Sequence, residues 1–242
     1  MTFSNFFIQS IEIDHSEYLQ DYLNQISAIR NLKKIIFETP ITFLVGENGT
    51  GKSTLLEAIA VNYGFNAEGG SLNYSFSTND SHSNLYKFIK LTKGIYKPKD
   101  GFFFRAESFY NLATYIDELE LDNMFEYGGR SLHKQSHGES FLNLINNRFR
   151  GDGLYFLDEP EAALSPQRQL SLISIINHLA QNGSQFIFST HSPILLGMRN
   201  STILSADGDF LHKIAYKDSE SYKITEMFIN NTDYILNQLY KE

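Results

Sequence analysis

Short unbroken apolar runs punctuate this chain: "ITFLV" (41–45), "GLYFL" (153–157) and "QFIFST" (185–190). Each gives way to a glycine, an acid or a polar cluster. A strand with one wet face would alternate apolar and polar positions. Unbroken runs instead predict strands covered on both faces, as in a parallel sheet. Helical spacing predicts helices over 52–62 and over 166–181, the second behind the start signal Ser165-Pro166. "ESFLNLINNR" (139–148) is a further helical pattern. Strands alternating with helices imply an α/β fold.

Near the end, "TILSA" (202–206) and "FLHKIAY" (210–216) flank "DGD" and read as a β-hairpin. Thr232 is the expected cap of a last short helix, "DYILNQLY" (233–240). The middle, about 64–150, is predicted to be an inserted, partly helical subdomain. Residues 1–63 and 151–242 would then form the core of a single domain. No internal repeat, low-complexity tail or coiled-coil heptad run interrupts this plan.

Composition narrows the function. The apolar share of 42%, with 20 Phe and 14 Tyr, can fill a large core. The absence of cysteine excludes disulfides, thiolate metal ligands and thiol catalysis, and fits a cytoplasmic location. No apolar run approaches the roughly 18–20 residues of a membrane span, so no membrane insertion is expected. A net charge of −8 argues against broad, non-specific nucleic-acid binding. A local basic stretch remains, with Lys87, Lys90, Lys93, Lys97 and Lys99. At helical spacing the first four would share one face, readable as a DNA or protein contact or as a solvated surface.

The chemistry is concentrated in "VGENGTGKST" (45–54), which follows the strand 41–45 directly and opens a helix. Gly46, Gly51, Lys52 and Ser53 satisfy the spacing G-x-x-x-x-G-K-[ST]. Glycines let the backbone curl around phosphates, and the helix N-terminus adds positive potential. Lys52 supplies a mobile charge for the β- and γ-phosphates, and the Ser53 hydroxyl suits Mg²⁺. In "GLYFLDEPEAAL" a buried strand ends in Asp158, placed for the Mg²⁺ shell, and Glu159 is the natural proton acceptor from attacking water. His191 in "FIFSTHSP" ends another strand and could reach the γ-phosphate or the water.

Together these residues resemble the ABC-type ATPase superfamily. The resemblance implies a P-loop NTPase fold with a mostly parallel core sheet, an antiparallel β portion and a small helical subdomain. Gly46, Glu47, Asn48, Gly49, Thr50, Gly51, Lys52, Ser53 and Thr54 take the place of Walker A. Asp158-Glu159 takes the place of Walker B with its catalytic glutamate, "PEAALS" that of the D-loop, and His191 that of the switch histidine. "KQSHGESFL" (134–142) then falls where such ATPases carry the LSGGQ signature. Ser136, Gly138 and Glu139 match its Ser, second Gly and Gln, while Gln135 and His137 depart from it. The family role of that serine is to bind the γ-phosphate held by the other subunit of an ATP-sandwiched homodimer.

The rival readings of that stretch are weaker. A Ser136–His137 nucleophile lacks a G-x-S-x-G elbow, and a His133/His137 metal pair lacks a third ligand. Glu107 lies where the family has its Mg²⁺-sensing Q-loop glutamine. Arg30 is readable as a nucleotide contact or as a surface arginine. The longer stretches 42–71, 100–119, 136–142 and 157–170 are similar to small free-standing bacterial predicted ATPases related to SMC/RecF-type heads. The expected activity is ATP hydrolysis with ATP and Mg²⁺, linked to a partner or to DNA. The alternatives are a transporter's nucleotide-binding subunit and a non-hydrolysing ATP-dependent interaction module.

Overall fold

The computed structural model describes residues 6–14, 21–72, 83–107 and 137–241. Its strands are β1 (Ile8–Ile13), β2 (Lys34–Ile36), β3 (Ile41–Val45), β4 (Gly70–Ser71), β5 (Ile89–Lys93), β6 (Asp100–Arg105), β7 (Gly153–Asp158), β8 (Gln185–Ser189), β9 (Ser201–Ser205) and β10 (His212–Ile214). The α-helices are α1 (Asp21–Gln25), α2 (Ser27–Arg30), α3 (Lys52–Tyr63), α4 (His137–Arg148), α5 (Pro166–Gln181), α6 (Glu220–Asn230) and α7 (Thr232–Leu239).

A seven-stranded sheet in the order β10-β9-β3-β8-β7-β6-β4 forms the centre. Its five inner strands are parallel, and β10 and β4 close the edges antiparallel. The unbroken apolar runs are explained by burial on both sides. In β6, Phe102 and Phe104 enter one core cluster, and Phe103 enters the other. β7 repeats the alternation with Tyr155 and Leu157 against Phe156, and β8 with Phe186 and Phe188 against Ile187. α3 covers one face through Leu56 and Ile59. α4 and α5 supply Phe141, Leu144, Leu172 and Ile176 to the core of the other.

A second, three-stranded antiparallel sheet, β2-β1-β5, adds Ile8 and Ile11 to the α3 side. The Gln185 side-chain amide ties it to the main sheet. It accepts from the Ile8 N–H and donates to the Ile8 carbonyl, each at 2.9 Å.

Several expectations need correction. The lysine stretch is not a helix. Residues Asn84–Lys87 form one 3-10 turn, and β5 then pairs with β1, so period two replaces the helical period. Ile89 and Leu91 point inward, Lys90 pairs with Asp14, and Lys93 lies over the Tyr63 ring at 4.4 Å. Lys99 pairs with Asp152 at 2.7 Å. β4 and β6, both inside the 64–150 segment expected as an insertion, are strands of the main sheet. The late hairpin is present, but β9 also joins β3 in parallel. Thr232 does not cap α7, because its hydroxyl donates backward to the Phe228 carbonyl at 2.7 Å.

Candidate functional site

Parallel register brings the ends of four strands to one edge. Leu44 lies opposite Ser189, Ser189 opposite Asp158, and Asp158 opposite Arg105. The residues that follow β3, β7, β8 and β6 therefore leave the sheet side by side. The carboxyl edge of an open parallel sheet is where α/β folds bind ligands.

The loop between β3 and α3 turns at Gly51, whose φ is 88°. A Cβ there would stand 2.8 Å from Ile26 Cγ2, so only glycine lets the loop pass under the α1–α2 turn. Three bonds from side chains converge on Glu47. Its carbonyl accepts from the Thr50 hydroxyl and from the Lys52 ammonium, each at 2.8 Å. Its N–H donates to Asp207 Oδ1 at 2.8 Å. Lys52 is only 5% exposed. Burial pulls its pKa down, and the charges of Glu159, Asp207, Asp158 and Glu161 oppose that pull. The α3 N-terminus begins here, and its first N–H groups have no partners within the helix.

Asp158 closes β7 and is buried. Its Oδ1 accepts from the Ser53 hydroxyl at 2.8 Å, and its Oδ2 lies 3.8 Å from Arg105 Nε. Burial pushes its pKa up to about 6, against the pull of the Ser53 hydroxyl and the Arg105 charge. Glu159 follows with a left-handed φ of 50°, its N–H donating to the Ser189 carbonyl at 2.9 Å. A non-glycine residue held there stores strain, which folds tolerate mainly at functional sites. The N–H of His191 donates to Glu161 Oε1 at 2.6 Å. A cavity of about 210 Å³ is lined by Gly46, Glu47, His191, Asp207 and Ile224. A second, of about 450 Å³, borders Glu47, Gly49 and Thr50 opposite Ile26 and Ser27.

Comparison with known proteins bears on the same residues. Residues 22–139 match the family described as "AAA domain", and residues 131–197 match the one described as "AAA domain, putative AbiEii toxin, Type IV TA system". The energy-coupling factor transporter ATP-binding protein EcfA of Carboxydothermus hydrogenoformans is 26% identical over 198 residues, 75% of this chain and 72% of its own length. The arabinose import ATP-binding protein AraG of Mannheimia succiniciproducens is 24% identical over 69% of this chain, which spans only 36% of that relative. A solved structure of cbiO1 from Clostridium perfringens, part of the ABC transporter complex cbiONQ, is similar over 99% of this chain and 100% of its own, with TM-score 0.47 and 12% identity. The chain is an ABC-type P-loop ATPase.

In this ATPase, Lys52, Ser53, Asp158, Glu159 and His191 all lie at the carboxyl edge. Glu107 is not brought to Ser53 and Asp158. Its side chain is 80% exposed, 3.9 Å from Arg105 Nη2. Arg30 ends α2 and is exposed. Ser136 lies outside the described residues. Gly138 and Glu139 occupy the first turn of α4. Gly138 is packed so closely that a Cβ would stand 2.8 Å from the Ala163 carbonyl, while Glu139 accepts from Arg168 Nη2 at 3.1 Å.

Four residues at this edge escaped the sequence reading. Arg105 bonds Glu57 on α3 at 2.7 Å and so links the loop helix to the β6–β7 edge. Asp207 holds the phosphate-loop backbone, and Glu161 holds His191. The acids in "DGD" and "EPEAAL" were visible, but nothing in their spacing named their partners. Among the described residues no group of three or more His, Asp or Glu could hold a metal unaided. Among them, no helix is long and apolar enough to cross a membrane.

Proposed function

We propose that this ATPase binds Mg²⁺-ATP at the β3–α3 loop and hydrolyses it within an ATP-sandwiched homodimer. The observation that carries the reading is the Ser53–Asp158 hydrogen bond, which joins the loop helix to the end of β7 at 2.8 Å. Residues Gly46–Thr54 hold the phosphates, with Lys52 as their cation. Mg²⁺ fits between Ser53 and Asp158: a hydroxyl and one carboxylate, completed by substrate oxygens and water, are a usual donor set for this ion. Bound there, Mg²⁺ would neutralise charge on the transferring phosphoryl group.

Glu159 accepts the proton of the attacking water, and His191 contacts the terminal phosphate. Ser136, Gly138 and Glu139 complete the partner's site. Glu107 and Arg30 have secondary roles, at the metal's water shell and at the nucleotide. Lys52, Ser53, Asp158, Glu159 and His191 belong to one domain, a reading supported by the parallel pairing of β6 with β7 across the expected division. Turnover drives a partner protein or a DNA-linked process in the cytoplasm. Two of the five lysines from Lys87 to Lys99 are paired with acids, which favours the protein partner.

A second reading, the nucleotide-binding subunit of a transporter, is supported by the likeness to EcfA. Turnover with and without Mg²⁺ and DNA, with oligomeric state followed in parallel, tests the proposal. Mg²⁺-dependent hydrolysis accompanied by ATP-dependent dimerisation is expected. Turnover by a protein that stays monomeric with ATP would rule out the dimer.

A further inference from the structure

We infer that Glu161 is a positioning residue that aims His191 into the site; the inference rests on the role proposed above for His191. Glu161 lies in the 3-10 turn Pro160–Ala163, directly after Glu159. Its Oε1 takes the backbone N–H of His191 at 2.6 Å, a short charge-assisted bond that fixes the peptide from which the imidazole projects. The next residue is held independently. The Ser192 hydroxyl donates to Gln169 Oε1 at 2.5 Å, and the Ser192 N–H donates to Thr190 Oγ1 at 3.0 Å. The backbone on both sides of the imidazole is therefore pinned.

Among the described residues, two buried atoms at this junction have no hydrogen-bond partner, Glu161 Oε2 and His191 Nε2. Buried polar atoms are rarely left unpaired, and such exceptions collect where a ligand or a rearrangement completes the bonding. The placement of Glu161 is also unfavourable for substrate. It is one of the four acids whose charge acts on Lys52, so it repels the phosphates that Lys52 would receive. A neutral acceptor would hold the same N–H without that repulsion. The pairing is therefore better explained by the accuracy of the His191 backbone than by stability alone.

The test compares Glu161→Gln with Glu161→Ala, each alone and combined with His191→Ala. The glutamine keeps an acceptor oxygen and removes the charge, so kcat should stay within about 3-fold of wild type, with ATP bound equally or more tightly. The alanine should lower kcat by about 10–10² with little change in KM, the size of loss that a small misplacement of a reacting group produces. In the His191→Ala background the alanine should add nothing, because groups that act as one unit are non-additive. If the alanine variant does not fold, Glu161→Asp withdraws the acceptor by one methylene while keeping the charge, and should show the same drop. Wild-type kcat for Glu161→Ala, equal losses for Gln and Ala, or additivity with an impaired His191→Ala would each overturn the inference alone. Wild-type turnover by His191→Ala itself would overturn the reading beneath it.

Discussion

The ammonium of Lys52 donates to the carbonyl of Glu47 at 2.8 Å, within the loop it serves. The same Glu47 is tied through its N–H to Asp207 just after β9, so the loop is braced against the sheet. A cation held by its own loop has few conformations to lose on binding an anion, which lowers the entropic cost.

Lys52→Ala should weaken ATP by about 10–10²-fold, the worth of a charge-assisted contact to phosphate. Asp207 still braces the loop in this variant, so its thermal unfolding should change little. Titration calorimetry decides the matter, and equal affinity in mutant and wild type would reject the phosphate-loop assignment.

Glu159→Gln should keep nucleotide binding and slow hydrolysis by about 10²–10⁴, as loss of a general base does. With ATP no longer consumed, the ATP-bound dimer should accumulate, because a ligand favours the state that binds it more tightly. Size-exclusion chromatography with ATP reports the dimer, and phosphate release reports the rate. A variant turning over at the wild-type rate would show that another group takes the proton.

Asp158→Asn should separate stability from activity. The Asp158 carboxyl moves from an ordinary 3.8 to about 6 in the fold, chiefly through burial. The folded protein therefore holds this proton more tightly than the unfolded chain. Nucleotide-free stability should fall as pH rises from about 4 through about 6, by roughly 3 kcal/mol in all. The asparagine variant should lack that falling limb and melt higher at neutral pH, while its Mg²⁺-dependent turnover drops by at least about 10²-fold. Thermal unfolding across this pH range checks the first part. An unchanged limb in the variant would assign it to another group.

Ser136→Arg should abolish turnover while sparing ATP binding to the monomer, since removing a preorganised donor to phosphate alone costs about 10²–10³ in rate. Mixing it with Lys52→Ala tests the arrangement across the two-fold axis. Neither homodimer has a working site, whereas the heterodimer has one site with both elements intact. Once heterodimer formation is verified, partial recovery of turnover is the expected result. A Ser136→Arg protein that stays monomeric with ATP and turns over at the wild-type rate would remove this stretch from the site.

By itself, the sequence determined the layers of the fold and the chemistry at the strand ends. Burial on both faces leaves a readable trace, an unbroken apolar run, and so β3, β7 and β8 were legible, as were the helices begun by Lys52 and Pro166. The phosphate loop was legible because its glycines and lysine are neighbours in the chain. β5 was not legible because two apolar residues among lysines suit either period, and only pairing with β1 selects one. Tertiary structure alone decided which acids meet which groups. Arg105 finds Glu57 across 48 positions, Glu47 finds Asp207 across 160, and His191 finds Glu161 across 30. These pairs depend on strand order and parallel register, which bring chain-distant residues to one edge. Local periodicity describes which side of an element is buried, but it carries no information about the neighbour waiting there.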